Sequence, residues 1–328
     1  MNTRQSINYV LAIDAGGTKT LGILKHLGTD NTWYHRTKSA SLSHDITKSC
    51  DRIEMLAKNL VQQAQCNADD VLIICGVAGG GNSENRNTLL SVLNRTFKNI
   101  KIYNDGKTSL YGAGKGQPII MLAMGTGSIA MRLDKDGVET RFGGWGFIAG
   151  DLGSGAYMGK QLVVNALVQY DKRQLKCDIL INETIARLKV ESSSRNSNKT
   201  KKNVKNDLKE TEQQIIANWI KNATSTEYAA FAPLIFEYAT RSEFAKNIIK
   251  DASYWIEDLA KTAGFKTEEH ADIPIAIIGG LAEVIKPFLS NNLSDALVSP
   301  AGSSLDGALY LGEKHLSENF LERPTTTN

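Results

Sequence analysis

The sequence predicts an α/β protein of two units, each built on a mixed sheet covered by helices. Three observations carry this. One arrangement occurs twice, a strand running into a glycine-rich turn and straight out into another strand: Tyr9–Ile13, Asp14–Thr20 and Leu21–Leu24, then Ile119–Met124, Gly125–Ser128 and Ile129–Leu133. Around these copies, short apolar runs alternate with segments of helical period. Between them, Gly and Pro cluster in Gly112-Ala-Gly-Lys-Gly-Gln-Pro118, a break between two periodic segments. The boundary is placed there, giving residues 1–113 and a larger second unit, 114–328, enlarged by a helical insertion and with a last helix free to pack back on the first.

The elements follow in order. The first hairpin leads through a loop, Ser39-Ala-Ser-Leu-Ser-His44, to a helix near Asp45–Ala64, a buried strand Val71–Cys75, a helix near Ser83–Thr96 and a short strand Lys101–Tyr103. A helix near Lys107–Gly112 closes the first unit. In the second, helical periods cover Gly155–Tyr170, Asp178–Lys189, Asp207–Asn222, Thr226–Thr240 and Ser242–Ala263, before a buried strand Ile275–Ile278 and a closing helix near Ser304–His315. Residues Glu191–Asn206 set five basic residues among Ser and Asn; they read as a solvated loop between helices, against a basic patch for an anionic partner.

Composition bounds the function. Hydrophobic residues make up 41% and charged residues 22% of the chain, as in a globular protein, and a formal charge of +3 gives no reason to expect nucleic acid or membrane as partner. No signal peptide or apolar run of spanning length is visible. Cys50, Cys66, Cys75 and Cys177 are scattered, without a Cys-x-x-Cys pair or a nearby His, which points to a reducing cytoplasm and away from zinc or an iron–sulfur cluster within one chain.

Five motifs carry chemistry. In Asp14-Ala-Gly-Gly-Thr-Lys19, the turn Gly16, Gly17, Thr18 and Lys19 suits terminal phosphates, with Asp14 at the strand end holding Mg²⁺; a plain Gly-Gly hairpin explains the same residues. Gly125, Thr126, Gly127 and Ser128 offer the same donors a second time, and the pair points to one polyphosphate more strongly than either turn. Asn104-Asp105-Gly106 puts a carboxylate at the C-terminal end of a strand, placed to take a proton from a hydroxyl or to cap the next helix. Gly143-Gly-Trp-Gly146 followed by Gly150-Asp-Leu-Gly-Ser-Gly155 either presents the Trp145 ring and Asp151 to a sugar or plugs the core, with Ser154 capping a helix. The strand Ile275–Ile278 ends in Gly279-Gly280, where an adenine could lie against the backbone or the chain could simply turn.

Taken in order, these motifs resemble the N-acetylglucosamine kinase and glucosamine kinase branch of the acetate and sugar kinase/actin superfamily, the BadF/BadG-type ATPase family, over roughly Tyr9–Gly312. The resemblance implies two ribonuclease-H-like, actin-like ATPase domains with mixed sheets flanking a nucleotide-binding cleft, with ATP and Mg²⁺ as cofactors. It places Asp105 on the family's catalytic aspartate, and Gly16, Thr18, Gly125–Ser128 and Gly279–Gly280 on its nucleotide-contacting turns. Asn104, Gly144, Trp145, Gly146 and Asp151 fall with its sugar-contacting residues. Members that hold an N-acetyl sugar often carry Asn where this chain has Ser39–His44, so the expected acceptor is glucosamine with a free amine, phosphorylated at its 6-hydroxyl. Asp151 and Asp45 are the carboxylates open to the amine. The alternatives are an N-acetylglucosamine kinase and, from another class, an ATPase activator of a reductase, which needs cysteines for a cluster shared between subunits. The expected partner is a small-molecule sugar, with a homodimer left open.

Overall fold

The computed structural model describes residues 7–43, 45–174, 177–199, 211–270 and 272–321. Two compact units emerge, and neither is continuous in sequence. The described residues up to Met121, with Met131–Thr140 and those from Val298 onward, form the first; Leu122–Ala130 with Arg141–Leu297 form the second. No helix among the described residues is long and apolar enough to cross a membrane.

The first unit holds a five-stranded sheet. β1 (Tyr9–Ala15), β2 (Lys19–His26), β3 (Thr32–Lys38), β4 (Val71–Val77) and β5 (Asn99–Asn104) lie in the order β3-β2-β1-β4-β5. β1 and β2 pair antiparallel through the Gly16–Thr18 turn, with Ala15 opposite Thr20, while β4 runs parallel to both β1 and β5. Every residue of β4 is buried, as a continuous apolar run in a central strand covered on both faces should be. Successive side chains point to opposite faces. Leu11, Ile13, Ile73 and Cys75 join a core with Cys50, Ile53, Leu56 and Leu60 of α1 (Ile46–Ala64). On the other parity, Val10 and Ile74 meet Gly312 of α12 (Ser304–Leu321). β3 escapes the sequence reading because it is an edge strand, more exposed than buried, with no clean apolar alternation.

α2 (Ser83–Leu93) connects β4 to β5, and α3 (Asp105–Gly114) follows β5 directly. α3 and α12 touch backbone to backbone: a Cβ on Gly112 would stand 1.9 Å from the Ser303 carbonyl oxygen, and one on Gly307 the same distance from that of Thr108. Gly307→Leu is therefore expected to destabilise the chain by at least the ~1–3 kcal/mol of an overpacked core, read as a lower urea midpoint. An unchanged midpoint would show that the helices separate freely.

The second sheet comprises β6 (Ile119–Met124), β7 (Ser128–Leu133), β8 (Glu139–Gly143) and β9 (Ile275–Ile278) in the order β8-β7-β6-β9, repeating the first sheet's order without its last strand. Helices make up most of the second unit: α4 (Gly155–Asp171), α5 (Ile179–Lys199), α6 (Glu212–Asn222), α7 (Ser225–Ala229), α8 (Ala232–Glu237) and α9 (Glu243–Thr262), then the single turns α10 (Ala282–Ile285) and α11 (Asn291–Ser294). Trp219, 1% exposed, packs edge-on against Tyr228 and Phe231. The helix expected over Thr226–Thr240 is broken between α7 and α8, where Pro233 sits in the first turn of α8. The loop expected over Glu191–Asn206 is helix as far as Lys199. No Gly or Pro interrupts the run from Ile179, and Arg187 ties itself to Glu191 one turn on at 2.8 Å. The rest of that segment, Thr200–Asn206, lies outside the described residues.

Candidate active site

In the first unit, the chemistry gathers at the C-terminal ends of β1 and β5. Asn104, not Asp105, caps α3: its side chain accepts the Lys107 N–H at 2.8 Å. Asp105 is thereby the first helical residue, and its carboxylate accepts the Gly106 N–H at 3.1 Å. The cap and the candidate base are thus two neighbouring residues with separate jobs.

Asp14, the penultimate residue of β1, is brought beside Asp105. Its Oδ1 accepts the Ser304 hydroxyl at 3.2 Å; Ser304 Oγ lies 2.9 Å from Thr108 Oγ1, itself 3.0 Å from the Asp105 carbonyl oxygen. Burial raises the Asp14 carboxyl above its ordinary range, the Ser304 hydroxyl opposes this, the Asp105 charge raises it further, and Lys19 lowers it. Burial also raises Asp105, against the pull of backbone N–H groups at the start of α3. Two carboxylates held this way favour a cation or a proton between them, and hard oxygen donors fit Mg²⁺. Among the described residues no group of three or more His, Cys, Asp and Glu gathers as a closed metal cage.

The adjoining Gly16–Lys19 turn is open. The Gly16 N–H closes it on the Lys19 carbonyl at 3.1 Å, Gly17, Thr18 and Lys19 are exposed, and nothing stands within 4 Å of where a Gly17 Cβ would be. The loop after β3 straps onto it through the Ala40 N–H and the Gly16 carbonyl at 3.2 Å, and onto Ala78 through the Leu42 N–H at 2.8 Å. His44 of that loop lies outside the described residues. Asp45 is occupied: it caps α1 through the Lys48 N–H at 3.1 Å and pairs with the Lys48 ammonium at 2.8 Å.

In the second unit, the Gly125–Ser128 turn is strapped to the start of α4. Gly155 and Ala156 donate their N–H groups to the Gly125 and Thr126 carbonyls at 2.8 and 3.1 Å, and Ser128 Oγ donates to the Leu152 carbonyl at 2.8 Å. Asp151, held at a left-handed φ of 54°, turns its carboxylate onto the same turn and accepts the Ser128 N–H at 3.3 Å. A Cβ on Gly127 would stand 2.9 Å from that carboxylate, so only glycine leaves room for it. Burial raises Asp151, opposed by this bond and by the Arg141 charge. Gly279–Gly280 join the turn through Leu281, whose N–H bonds the Met124 carbonyl at 3.1 Å, and Gly280 presents an open face.

In the Gly143–Gly155 segment the expected core plug is absent, whereas the expected Ser154 cap forms. Trp145 is 81% exposed, so it plugs no core, and Arg141 holds the Gly143 and Gly144 carbonyls beside it. Ser154, fully buried, caps α4 through the Tyr157 N–H at 3.2 Å.

Sequence reasoning missed several neighbours. Ser304 reaches Asp14 across 290 positions, and no local pattern could show it. Thr108 was hidden in α3. The run Gly79-Gly-Gly81 after the buried strand β4 was a visible signal, because Ala78 just before it bonds the Ala15 carbonyl at 2.9 Å and brings it to the Gly16 turn.

Comparison with known proteins identifies the family. A model described as the BadF/BadG/BcrA/BcrD ATPase family matches residues 11–307. The glucosamine kinase GspK of Vibrio cholerae is 24% identical over 315 residues, covering 94% of this chain and 97% of its own. The N-acetyl-D-glucosamine kinase of Dictyostelium discoideum is 24% identical, covering 88% and 89%. Among solved structures, a candidate N-acetylglucosamine kinase from Chromobacterium violaceum superposes with a TM-score of 0.74 at 27% identity, covering 93% of this chain and 99% of that one.

Proposed function

Because the chain belongs to the BadF/BadG/BcrA/BcrD ATPase family, we propose that it is an ATP-dependent amino-sugar kinase that transfers the γ-phosphoryl group of ATP to the 6-hydroxyl of glucosamine. The observation that carries this reading is the juxtaposition of Asp14 and Asp105 beside the open Gly16–Lys19 turn, in a chain whose named relatives act on glucosamine and N-acetylglucosamine. Asp105 accepts the proton of the attacking hydroxyl; its raised pKa makes it a better base than an ordinary carboxylate. The exposed Gly17, Thr18 and Lys19 hold phosphate oxygens, and within the second unit Thr126 and Gly127 offer donors of the same kind. Asp14 would hold Mg²⁺ through water, and that ion neutralises phosphate charge when bound. Trp145 offers its ring to the apolar C–H face of the sugar.

The reductase-activator alternative has less support. Cys50 and Cys75 lie in the core of the first unit, 1% and 0% exposed, and burial pushes the Cys75 thiol far up, which suits packing rather than cluster ligation.

The test is one panel of kcat/KM values for glucosamine, N-acetylglucosamine and glucose with saturating ATP and Mg²⁺. Glucosamine is expected to lead. A higher value for N-acetylglucosamine would move the assignment to that sugar, and turnover of none would remove the kinase reading.

A further inference from the structure

A cavity of about 230 Å³ opens within the second unit between the Gly143–Leu152 segment and α9. Its lining combines two indoles, Trp145 and Trp255, with two carboxylates, Asp151 and Asp258. Neither residue of α9 stands out in the sequence, where both lie on an ordinary amphipathic helix.

Three of these four side chains are already committed or positioned. The Trp255 Nε1–H donates to the Tyr157 hydroxyl at 3.2 Å, and that hydroxyl donates to Asp251, so the indole is braced from behind. Asp151 holds the Ser128 N–H and has the Arg141 charge nearby. Trp145 stands out from its loop. Asp258 differs. It is exposed, and among the described residues no hydrogen bond or ion pair engages its carboxylate.

A cavity lined by two tryptophans and a residue with an uncommitted carboxylate is suited to an organic ammonium that also carries an apolar C–H surface, through a charge-assisted hydrogen bond and cation–π attraction. A hexosamine has both. A neutral hexose offers the carboxylate a hydroxyl without charge, and an N-acetyl sugar offers it an amide without charge. We propose that Asp258 is the specificity-determining residue of this chain, the carboxylate that pairs with the free ammonium of the acceptor sugar, with Trp145 and Trp255 flanking it. This rests on the amino-sugar kinase reading, and it sets aside both carboxylates that the sequence offered for the amine, Asp45 as the cap of α1 and Asp151 as the brace of the Gly125–Ser128 turn.

The experiment compares wild type, Asp258→Asn and Asp258→Lys. Turnover gives the glucosamine-to-glucose ratio of kcat/KM, and calorimetric titration of glucosamine without nucleotide gives binding independently of turnover. Exposed ion pairs contribute little, so Asp258→Asn should lower the ratio about two- to fivefold through KM. Asp258→Lys should lower it further, and the salt dependence of the wild-type KM for glucosamine should be lost in Asp258→Asn and reversed in Asp258→Lys. A ratio within about twofold of wild type in Asp258→Lys, or a wild type that does not bind glucosamine in calorimetry, overturns the inference. Binding that depends on Asp258 in a protein that phosphorylates no sugar supports the inference and overturns the kinase reading instead.

Discussion

Asp105→Asn is expected to cut turnover by about 10²–10⁴-fold, the usual loss when a general base is removed, while ATP and glucosamine affinities stay close to wild type. The amide keeps the shape of the carboxylate and can still meet the start of α3, but it cannot take the hydroxyl proton. Because Asn104 and not Asp105 caps α3, the substitution leaves the helix terminus intact. The effect therefore separates chemistry from folding. The same variant should be more thermostable than wild type at neutral pH in the presence of chelator. Burial raises the folded-state pKa of Asp105, whereas the unfolded carboxyl titrates in its ordinary range. The stability of the protonated form is thus complete below that ordinary range and is lost as pH rises through the raised value. At neutral pH the native state carries a half-buried charge that Asn removes. In the wild-type enzyme the same shift places the acid limb of kcat/KM above the ordinary aspartate value of 3.8. Wild-type turnover in the variant would take Asp105 out of the mechanism, and a lower melting temperature in chelator would contradict the burial argument.

Asp14→Ala should raise the Mg²⁺ concentration needed for half-maximal activity and lower kcat at limiting Mg²⁺ by on the order of 10²-fold, since metal-borne charge neutralisation contributes several kcal/mol to such transition states. The carboxylate stands beside Asp105 and accepts the Ser304 hydroxyl, so its loss removes one of the two oxygen donors at the site and leaves the Ser304 hydroxyl without its acceptor. Ser304→Ala serves as the comparison. It keeps both carboxylates and releases only the hydroxyl, so it should shift the Mg²⁺ dependence less than Asp14→Ala. Titrating activity against free Mg²⁺ in the three proteins decides the order, and identical curves would move the metal away from Asp14.

Much of the fold was legible in the sequence because its signals are local. The two strand–turn–strand copies, the all-buried run Val71–Val77, the helical periods and the caps each act within a few residues, and the structure places β1, β2, β4, β6, β7 and β9 on them. The glycine turns were legible for the same reason, since Gly16–Lys19 and Gly125–Ser128 announce themselves by composition. Weak local signals failed: the exposed edge strand β3, the break before Pro233, and a helix that runs on through Ser and Asn to Lys199.

By itself, then, the sequence determined the α/β class, the repeated hairpin, the positions of the glycine turns and Asp105 as a carboxylate at a strand end. Only the tertiary structure decided what those groups do to one another. It brought Ser304 from the last helix onto Asp14, packed α3 on α12 through Gly112 and Gly307, turned Asp151 onto the Ser128 N–H, exposed the Trp145 ring, and set Asp258 into the cavity wall. Backbone dihedrals and hydrogen-bond periods are fixed by neighbours along the chain, whereas the burial of a charge, its pKa and its partner depend on residues tens to hundreds of positions away.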